Sequence, residues 1–298
     1  MRLLKTITLL FTVVAFTAFT ADQQETKLEN SLLWKIEKKG MEPSYLFGTI
    51  HLISQEQFYL PEKVTDAMNA CDKLMLEIDV TDQAQMMSML ELAVMADGKT
   101  MNDLLSPEDY SILDTAIMFE LGVGLQLFNN YKPFVLESFL ITKVIEGEPA
   151  SYEMELAKLA QDNGMGILQL ESVAKQMAIF DEIPYEEQAK DLMRYARGDE
   201  DMKQEFATMV DLYLKEDLNG LYNYMDAYYT EDIWMQKLLV ERNAAWIPII
   251  AEKVAAKPTF IAVGAGHLGG ETGVIKRLRK AGYKVTAVME KESEEIND

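Results

Sequence analysis

Two stretches decide how this chain is read: Tyr45-Leu46-Phe47-Gly48-Thr49-Ile50-His51 and Phe260-Ile261-Ala262-Val263-Gly264-Ala265-Gly266-His267. They hold the two histidines of the 298 residues, and each histidine stands three places after a glycine. With 16 glycines in the chain, chance gives both histidines that glycine in roughly 0.3% of random arrangements. Each motif follows an apolar run of the length of a buried strand and ends it in a glycine turn. Such a turn presents the imidazole at the carboxyl end of its strand, the edge where open α/β sheets gather ligands. Imidazole is the commonest neutral metal ligand and the usual acid or base near pH 7. The bland alternative is a pair of structural histidines.

Working outward, residues 32–37 and 45–51 read as strands of a hairpin joined across residues 40–44. Pro61 opens a helix over 62–71. Residues 74–79 form a third strand, whose Glu77 and Asp79 share one face by the period of two. From 81 to about 256 the pattern is largely helical, with a helix start at Ser106-Pro107-Glu108-Asp109 and a break at Tyr131-Lys132-Pro133. One strand, 167–170, interrupts the helices and ends at Glu171. A long helix over 230–254 stops before Pro258. Strand 259–263, helix 272–281 with Gly282 as its stop, and strand 284–289 follow. The fold class is therefore α/β, with a central sheet built from N- and C-terminal strands and a helical middle region. That assembly brings His51 and His267 together. The order strand, glycine turn, His, helix, strand recurs in both halves and points to a duplicated core.

Residues 1–21 read as an export signal: Arg2 and Lys5, then an apolar stretch over 7–19, then Ala18, Thr20 and Ala21 before the cut. The stretch is shorter than the ~20 residues of a membrane span; an uncleaved anchor is the alternative. The expected location is periplasmic or secreted, with no stable membrane insertion after cleavage. Residues 22–31 read as a flexible lead-in, 32–289 as one domain, and 290–298 as a solvated acidic tail. The formal charge is −21, and loss of the signal's two basic residues makes it −23. That charge disfavours nucleic acid and anionic lipid as partners. Cys71 stands alone, so no internal disulfide forms. It reads as a small buried residue, a nucleophile being the alternative. Nineteen methionines, four of them at 86, 87, 89 and 95, suit core packing, with a copper cluster as the rival.

A carboxylate in an otherwise apolar strand is costly unless paired, protonated or metal-bound. Glu77 with His51 and His267 makes a His₂Glu set with a coordination position left for water, the arrangement of metal-assisted hydrolysis. The plainer reading pairs Glu77 with an arginine. Glu171 is a second ligand or a general base. Arg242, on a helix with apolar neighbours, anchors a carboxylate, either Glu77 or one on a substrate, or serves structure alone. An HExxH helix, a GxSxG elbow and a P-loop are all absent from the sequence.

These residues resemble the TraB/GumN family, which is related to the Tiki proteins. The resemblance runs from Leu33-Trp34 to about Val288. Its anchors are the two glycine–histidine motifs, Glu77-Ile78-Asp79, Lys132-Pro133, Leu170-Glu171 with Gln176, and Arg242-Asn243. Glu153 stands where the family often carries an aspartate. The resemblance implies an α/β fold with a duplicated core, akin to the erythromycin esterase and ChaN-like superfamily. It implies a divalent metal, Mn2+ or Co2+ with Zn2+ as a further choice, as in the Tiki proteases. His51, His267 and Glu77 are then the metal and catalytic residues, and Arg242 the family's arginine.

The leading expectation is an exported metal-dependent hydrolase acting on a peptide or protein. A metal-bound water attacks the carbonyl, Glu171 or Glu77 moves protons, and Arg242 orients a carboxylate or stabilises the oxyanion. The rivals are a peptide-, pheromone- or metal-binding protein without turnover, and a metal-dependent esterase or haem carrier. The oligomeric state is left open.

Overall fold

The computed structural model describes residues 27–228 and 235–290. The export signal and all of the acidic tail beyond Glu290 lie outside the described residues. Eight strands are described: β1 Leu33–Glu37, β2 Ser44–Thr49, β3 Ile53–Ser54, β4 Lys73–Leu76, β5 Pro149–Ala150, β6 Gly166–Gln169, β7 Thr259–Gly264 and β8 Lys284–Ala287. Six of them form one mixed sheet in the order β6-β4-β7-β2-β1-β8. β1 and β2 are the expected antiparallel hairpin, with Leu33 opposite Phe47. β2 then pairs in parallel with β7, Tyr45 beside Phe260 and Thr49 beside Gly264. β7 pairs in parallel with β4, and β4 with β6. The two ends of the chain thus share one sheet, and both glycine motifs leave neighbouring strands on the same edge.

The strand sequences explain this order. Every residue of β7 is buried, as a central parallel strand covered on both faces requires. Leu74, Met75 and Leu76 of β4 and Leu46 and Phe47 of β2 are equally enclosed. Trp34, with no exposed surface, closes the core on the β1 side. The edge strands β6 and β8 are less enclosed.

The helices are α1 Glu62–Asn69, α2 Gln83–Leu92, α3 Met101–Leu104, α4 Pro107–Leu121, α5 Pro133–Leu140, α6 Tyr152–Asp162, α7 Val173–Asp181, α8 Tyr185–Arg197, α9 Glu200–Leu214, α10 Leu218–Tyr228, α11 Arg242–Ala256 and α12 Val274–Lys280. Ser106 caps α4 by accepting from the Asp109 N–H, with Pro107 at its first turn, as the sequence predicts. α3, α4, α5 and α8 enclose an apolar cluster of their own around Met101, Leu113, Ile117, Leu136 and Leu192, apart from the core beneath the sheet.

Several expectations are corrected. The third strand stops at Leu76, so Glu77 and Asp79 do not share a strand face. Asp79 instead takes the Thr81 N–H at 2.9 Å and its hydroxyl at 2.6 Å, a local turn that ends the strand. The long helix is not uniform: Gln236–Glu241 is a π-helical turn that runs directly into α11, and its residues 230–234 lie outside the described residues. The lead-in is anchored over its described part, with Leu28 buried and its N–H and C=O both bonded to the Asn219 amide. Core packing of the methionines holds for Met95, buried in the helical cluster, and for Met86 and Met89, packed against Ala93, Val135 and Met177, but not for Met87, which is exposed.

Cys71 is buried, and burial, with Asp72 beside it, pushes its thiol up to about 12. The thiolate is the reactive form. Folded protein at pH 8 is therefore expected to resist iodoacetamide, and protein in urea to take one label; rapid labelling of the folded chain by mass spectrometry contradicts this burial. Among the described residues no helix is long and apolar enough to cross a membrane.

Candidate active site

Four adjacent parallel strands, β6, β4, β7 and β2, each deliver one candidate side chain just past their carboxyl ends. Glu171 lies two residues beyond β6, Glu77 one beyond β4, His267 three beyond β7, and His51 two beyond β2. The β4–β6 ladder continues one step past the strands, Glu171 N–H to Glu77 C=O at 2.9 Å, which sets the two carboxylates side by side. All five residues singled out from the sequence meet here, Arg242 reaching in from the first turn of α11.

Two glycines make the approach possible. A Cβ on Gly48 would stand 3.1 Å from Ala265 backbone and side chain, so the absence of one lets the two motifs approach without either shifting. A Cβ on Gly264 would lie 3.4 Å from His51 Nε2, 3.5 Å from Glu77 Oε1 and 3.6 Å from His267 Cδ2. The space over Gly264 is thus walled by both imidazoles and the carboxylate.

Arg242 is the hub. Its Nε and Nη2 donate to Glu171 Oε1 at 2.8 and 2.6 Å, and Nη2 also donates to Glu77 Oε2. Its Nη1 donates to the Leu238 carbonyl at 3.0 Å and meets His267 Nε2 at 3.1 Å. The Leu238 carbonyl belongs to the π-helical turn, so that irregular turn helps set the guanidinium; such turns recur at functional sites. The plainer reading of Glu77, an arginine pair, holds, and Glu77 faces the histidines as well. Glu77 Oε1 accepts the Gly264 N–H at 2.8 Å, and Gln176 Nε2 lies 3.3 Å from Oε2. Burial alone would raise this carboxyl. His267, Arg242, His51 and the Gly264 N–H outweigh it and hold Glu77 at about 2.

His267 is buried, and burial first, then Arg242 and His51, push it down to about 3 against the pull of Glu77. It is neutral at pH 7, so Arg242, which is always charged, is the partner that keeps Glu77 ionised. Its Nδ1 lies 2.7 Å from Asn243 Oδ1. That bond assigns the proton to Nδ1 and leaves the Nε2 lone pair facing Arg242. Asn243 Nδ2 in turn donates to the Thr272 and His267 carbonyls at 3.1 and 3.3 Å. Trp246, one turn along α11, packs on the His267 ring with centroids 4.4 Å apart and points its indole N–H at Glu171 Oε2, 3.3 Å away.

His51 is the open member of the pair. Its Nδ1 lies 3.0 Å from Glu153 Oε1, which also accepts the Thr49 hydroxyl at 2.7 Å. The partial enclosure of the ring opposes its charged form, but Glu153 and then Glu77 favour that form more, so its pKa is raised. With 68% of its side chain exposed, water moderates this rise. The Glu153 carboxyl, which burial would raise, is held down chiefly by His51.

Among the described residues, no three histidine, cysteine, aspartate or glutamate side chains already stand at coordination distances. His267 Nε2 and Glu77 Oε1 are 3.7 Å apart. Glu171 does not face the opening: its side chain has no exposed surface and is spent on Arg242 and Trp246. Arg242 likewise has its guanidinium turned to internal carboxylates rather than outward. Sequence reasoning gave no role to Glu153, Asn243, Gln176 or Trp246. The Arg242–Trp246 spacing of one helical turn was the available signal for the last.

A sheet edge carrying two glycine-turn histidines and a buried Glu–Arg–Glu cluster defines an α/β protein with one polar centre. This chain belongs to the TraB/PrgY/gumN family, which it matches over residues 32–287. It is similar to the metalloprotease TIKI2 of Danio rerio, 23% identical over 313 aligned positions, 86% of this chain and 60% of the relative. It is also similar to metalloprotease TIKI1 of the same fish, 29% identical over 91 residues, 30% of this chain and 18% of the relative. The chain thus spans less than two thirds of the length of either relative. No solved structure matches the chain.

Proposed function

We propose that this protein is an exported metal-dependent hydrolase, acting on peptides at the centre around Gly264. The carrying observation is the pocket over Gly264, where His51 Nε2 and Glu77 Oε1 face one another within 3.5 Å of one point. The donor chemistry fits a divalent cation. His51 Nε2 has no hydrogen bond among the described residues, and Glu77 Oε1 keeps a lone pair beside the Gly264 N–H. Enclosed carboxylates outnumber the one guanidinium here: Glu77 and Glu171 share Arg242, while Glu153 faces His51. His51, Glu77 and His267 would hold the ion, His267 once Arg242 Nη1 leaves its lone pair. When bound, such an ion lowers the pKa of its water and polarises a carbonyl. Similarity to Tiki metalloproteases supports this reading, with Mn2+ or Co2+ as first choices and Zn2+ third. Glu153 orients His51 through Nδ1, and Asn243 orients His267 in the same way, as outer partners of metal-binding imidazoles do. Glu171 is assigned to positioning Arg242. The paired turns would be the halves of a duplicated core of the erythromycin esterase/ChaN-like kind. The engagement of His267 Nε2 by Arg242 favours the second reading, a peptide-binding protein without turnover.

Metal content by mass spectrometry after incubation with Mn2+, Co2+ or Zn2+ tests the proposal. About one ion per chain is expected, lost in His51→Ala/His267→Ala, with cleavage of a peptide library under the retained ion. Metal content independent of both histidines defeats the proposal, and binding of peptides without products supports the second reading.

A further inference from the structure

His51 also forms part of the wall of a cavity of about 480 Å³, within the size range of small-molecule sites. The wall is otherwise helical. α5, α7, α9 and α10 contribute Phe134, Phe180, Met202, Phe206, Met209 and Met225, and α8 contributes Asp191. Phe134 and Phe180 stack at 3.9 Å, nearly parallel, as a flat apolar side. Thioethers and flat rings suit a long, flexible apolar chain. Into this lining project the carboxyl groups of Glu137, Asp191 and Glu205. Glu205 is engaged by Arg194 Nη2 at 3.0 and 3.1 Å. The half-buried Glu137 carboxyl has no hydrogen bond or ion pair among the described residues. Burial, and then the charge of Asp191, push it up to about 8. Asp191 is raised too, by burial first, with Arg194 opposing. Two carboxyl groups line one apolar chamber, both disfavoured as anions by burial and Glu137 further by Asp191, and a cation seated there favours the ionised form of each.

We propose that this cavity receives a substrate segment whose apolar stem ends in an organic cation, seated between Glu137 and Asp191 while the adjoining backbone lies at His51. The cation is a lysine or arginine head or a free peptide amino terminus; the apolar stem runs along the Phe134–Phe180 stack and the methionines. What happens next to the bound segment rests on the hydrolase reading, but binding itself does not.

The test is therefore a binding measurement on full-length, metal-free protein with EDTA present. Fluorescein-labelled pentapeptides of leucine and alanine are compared by polarisation. One series has a central lysine and blocked ends, one has norleucine in its place, and one has norleucine with a free amino terminus. The lysine or the free-amine peptide is expected to bind at least tenfold more tightly than blocked norleucine, and whichever gains identifies the source of the cation. Glu137→Gln/Asp191→Asn should reduce that preference to within twofold while leaving blocked-norleucine affinity unchanged. Asp191→Asn alone should give an intermediate preference, and it serves should the double variant fold poorly. Equal binding of all three peptides, or a preference untouched by either variant, overturns the inference. Retained preference with no cleavage under any metal would leave it standing and count against the hydrolase reading alone.

Discussion

Arg242→Met should lower the free energy of unfolding by about 3–5 kcal/mol, the cost of breaking a buried pair by removing one partner. A domain of this kind has only about 5–15 kcal/mol in hand, so the variant should unfold at markedly lower urea. The cause is the charge left behind. Glu171 has no exposed side-chain surface and receives Arg242 at 2.6 and 2.8 Å, and Glu77 is 7% exposed and depends on the same guanidinium. Without it, two adjacent carboxylates face each other in an apolar surrounding. Arg242→Lys should recover only part of the loss, because one ammonium cannot reach Glu77, Glu171 and the Leu238 carbonyl at once. Adding Glu171→Gln to Arg242→Met should also restore stability, since it removes one orphaned charge and leaves an amide that can still accept from Trp246. That non-additivity separates an electrostatic role from simple packing. Urea curves in which Arg242→Met matches the parent chain would show that the cluster contributes nothing to the fold.

The outline of this centre was legible because it rests on local signals. A glycine turn after an apolar run predicts where a strand ends, and an acid at the end of another predicts a polar residue at the same sheet edge. Parallel packing of β2 on β7 and β7 on β4 then follows from which strands are apolar throughout. What the residues could not convey was pairing across the helical region. Glu153 lies 102 positions from His51, on a helix whose own period gives no hint of a partner. Glu77 and Glu171 look alike in sequence, each an acid closing a strand, yet Glu77 faces the histidines while Glu171 is sealed behind Arg242 and Trp246. The difference arises from Arg242 and Trp246 of α11, which close over Glu171, and from the π-helical turn before that helix, whose extra residue per turn no hydrophobic pattern marks. The cavity beside His51 was equally hidden, since its lining comes from five separate helices and reads in sequence as ordinary core.

Gly264→Ala offers the sharpest separation of chemistry from stability. The residue has φ −51° and ψ 134°, a conformation open to alanine, so no backbone strain is introduced. The new methyl would meet its three nearest atoms at 3.4, 3.5 and 3.6 Å, ordinary van der Waals distances. Replacing glycine where alanine fits typically adds about 0.4–1 kcal/mol by restricting the unfolded chain. The variant should therefore melt at the same temperature as the parent or slightly above it. Its chemistry should fail, because an ion at about 2.0–2.2 Å from imidazole and carboxylate donors needs the volume that the methyl now takes. Metal affinity and hydrolysis are expected to fall by more than about 100-fold, beyond the 10–100-fold typical of losing one outer hydrogen-bond partner. Calorimetry and metal titration on the same sample read both quantities. A Gly264→Ala protein that keeps its melting temperature and also binds metal and cleaves peptide normally would place the ion away from His51, Glu77 and His267. Loss of metal together with loss of fold would instead make Gly264 a packing residue and leave the site to be tested by His51→Ala, whose exposed ring can be removed with little strain on the core.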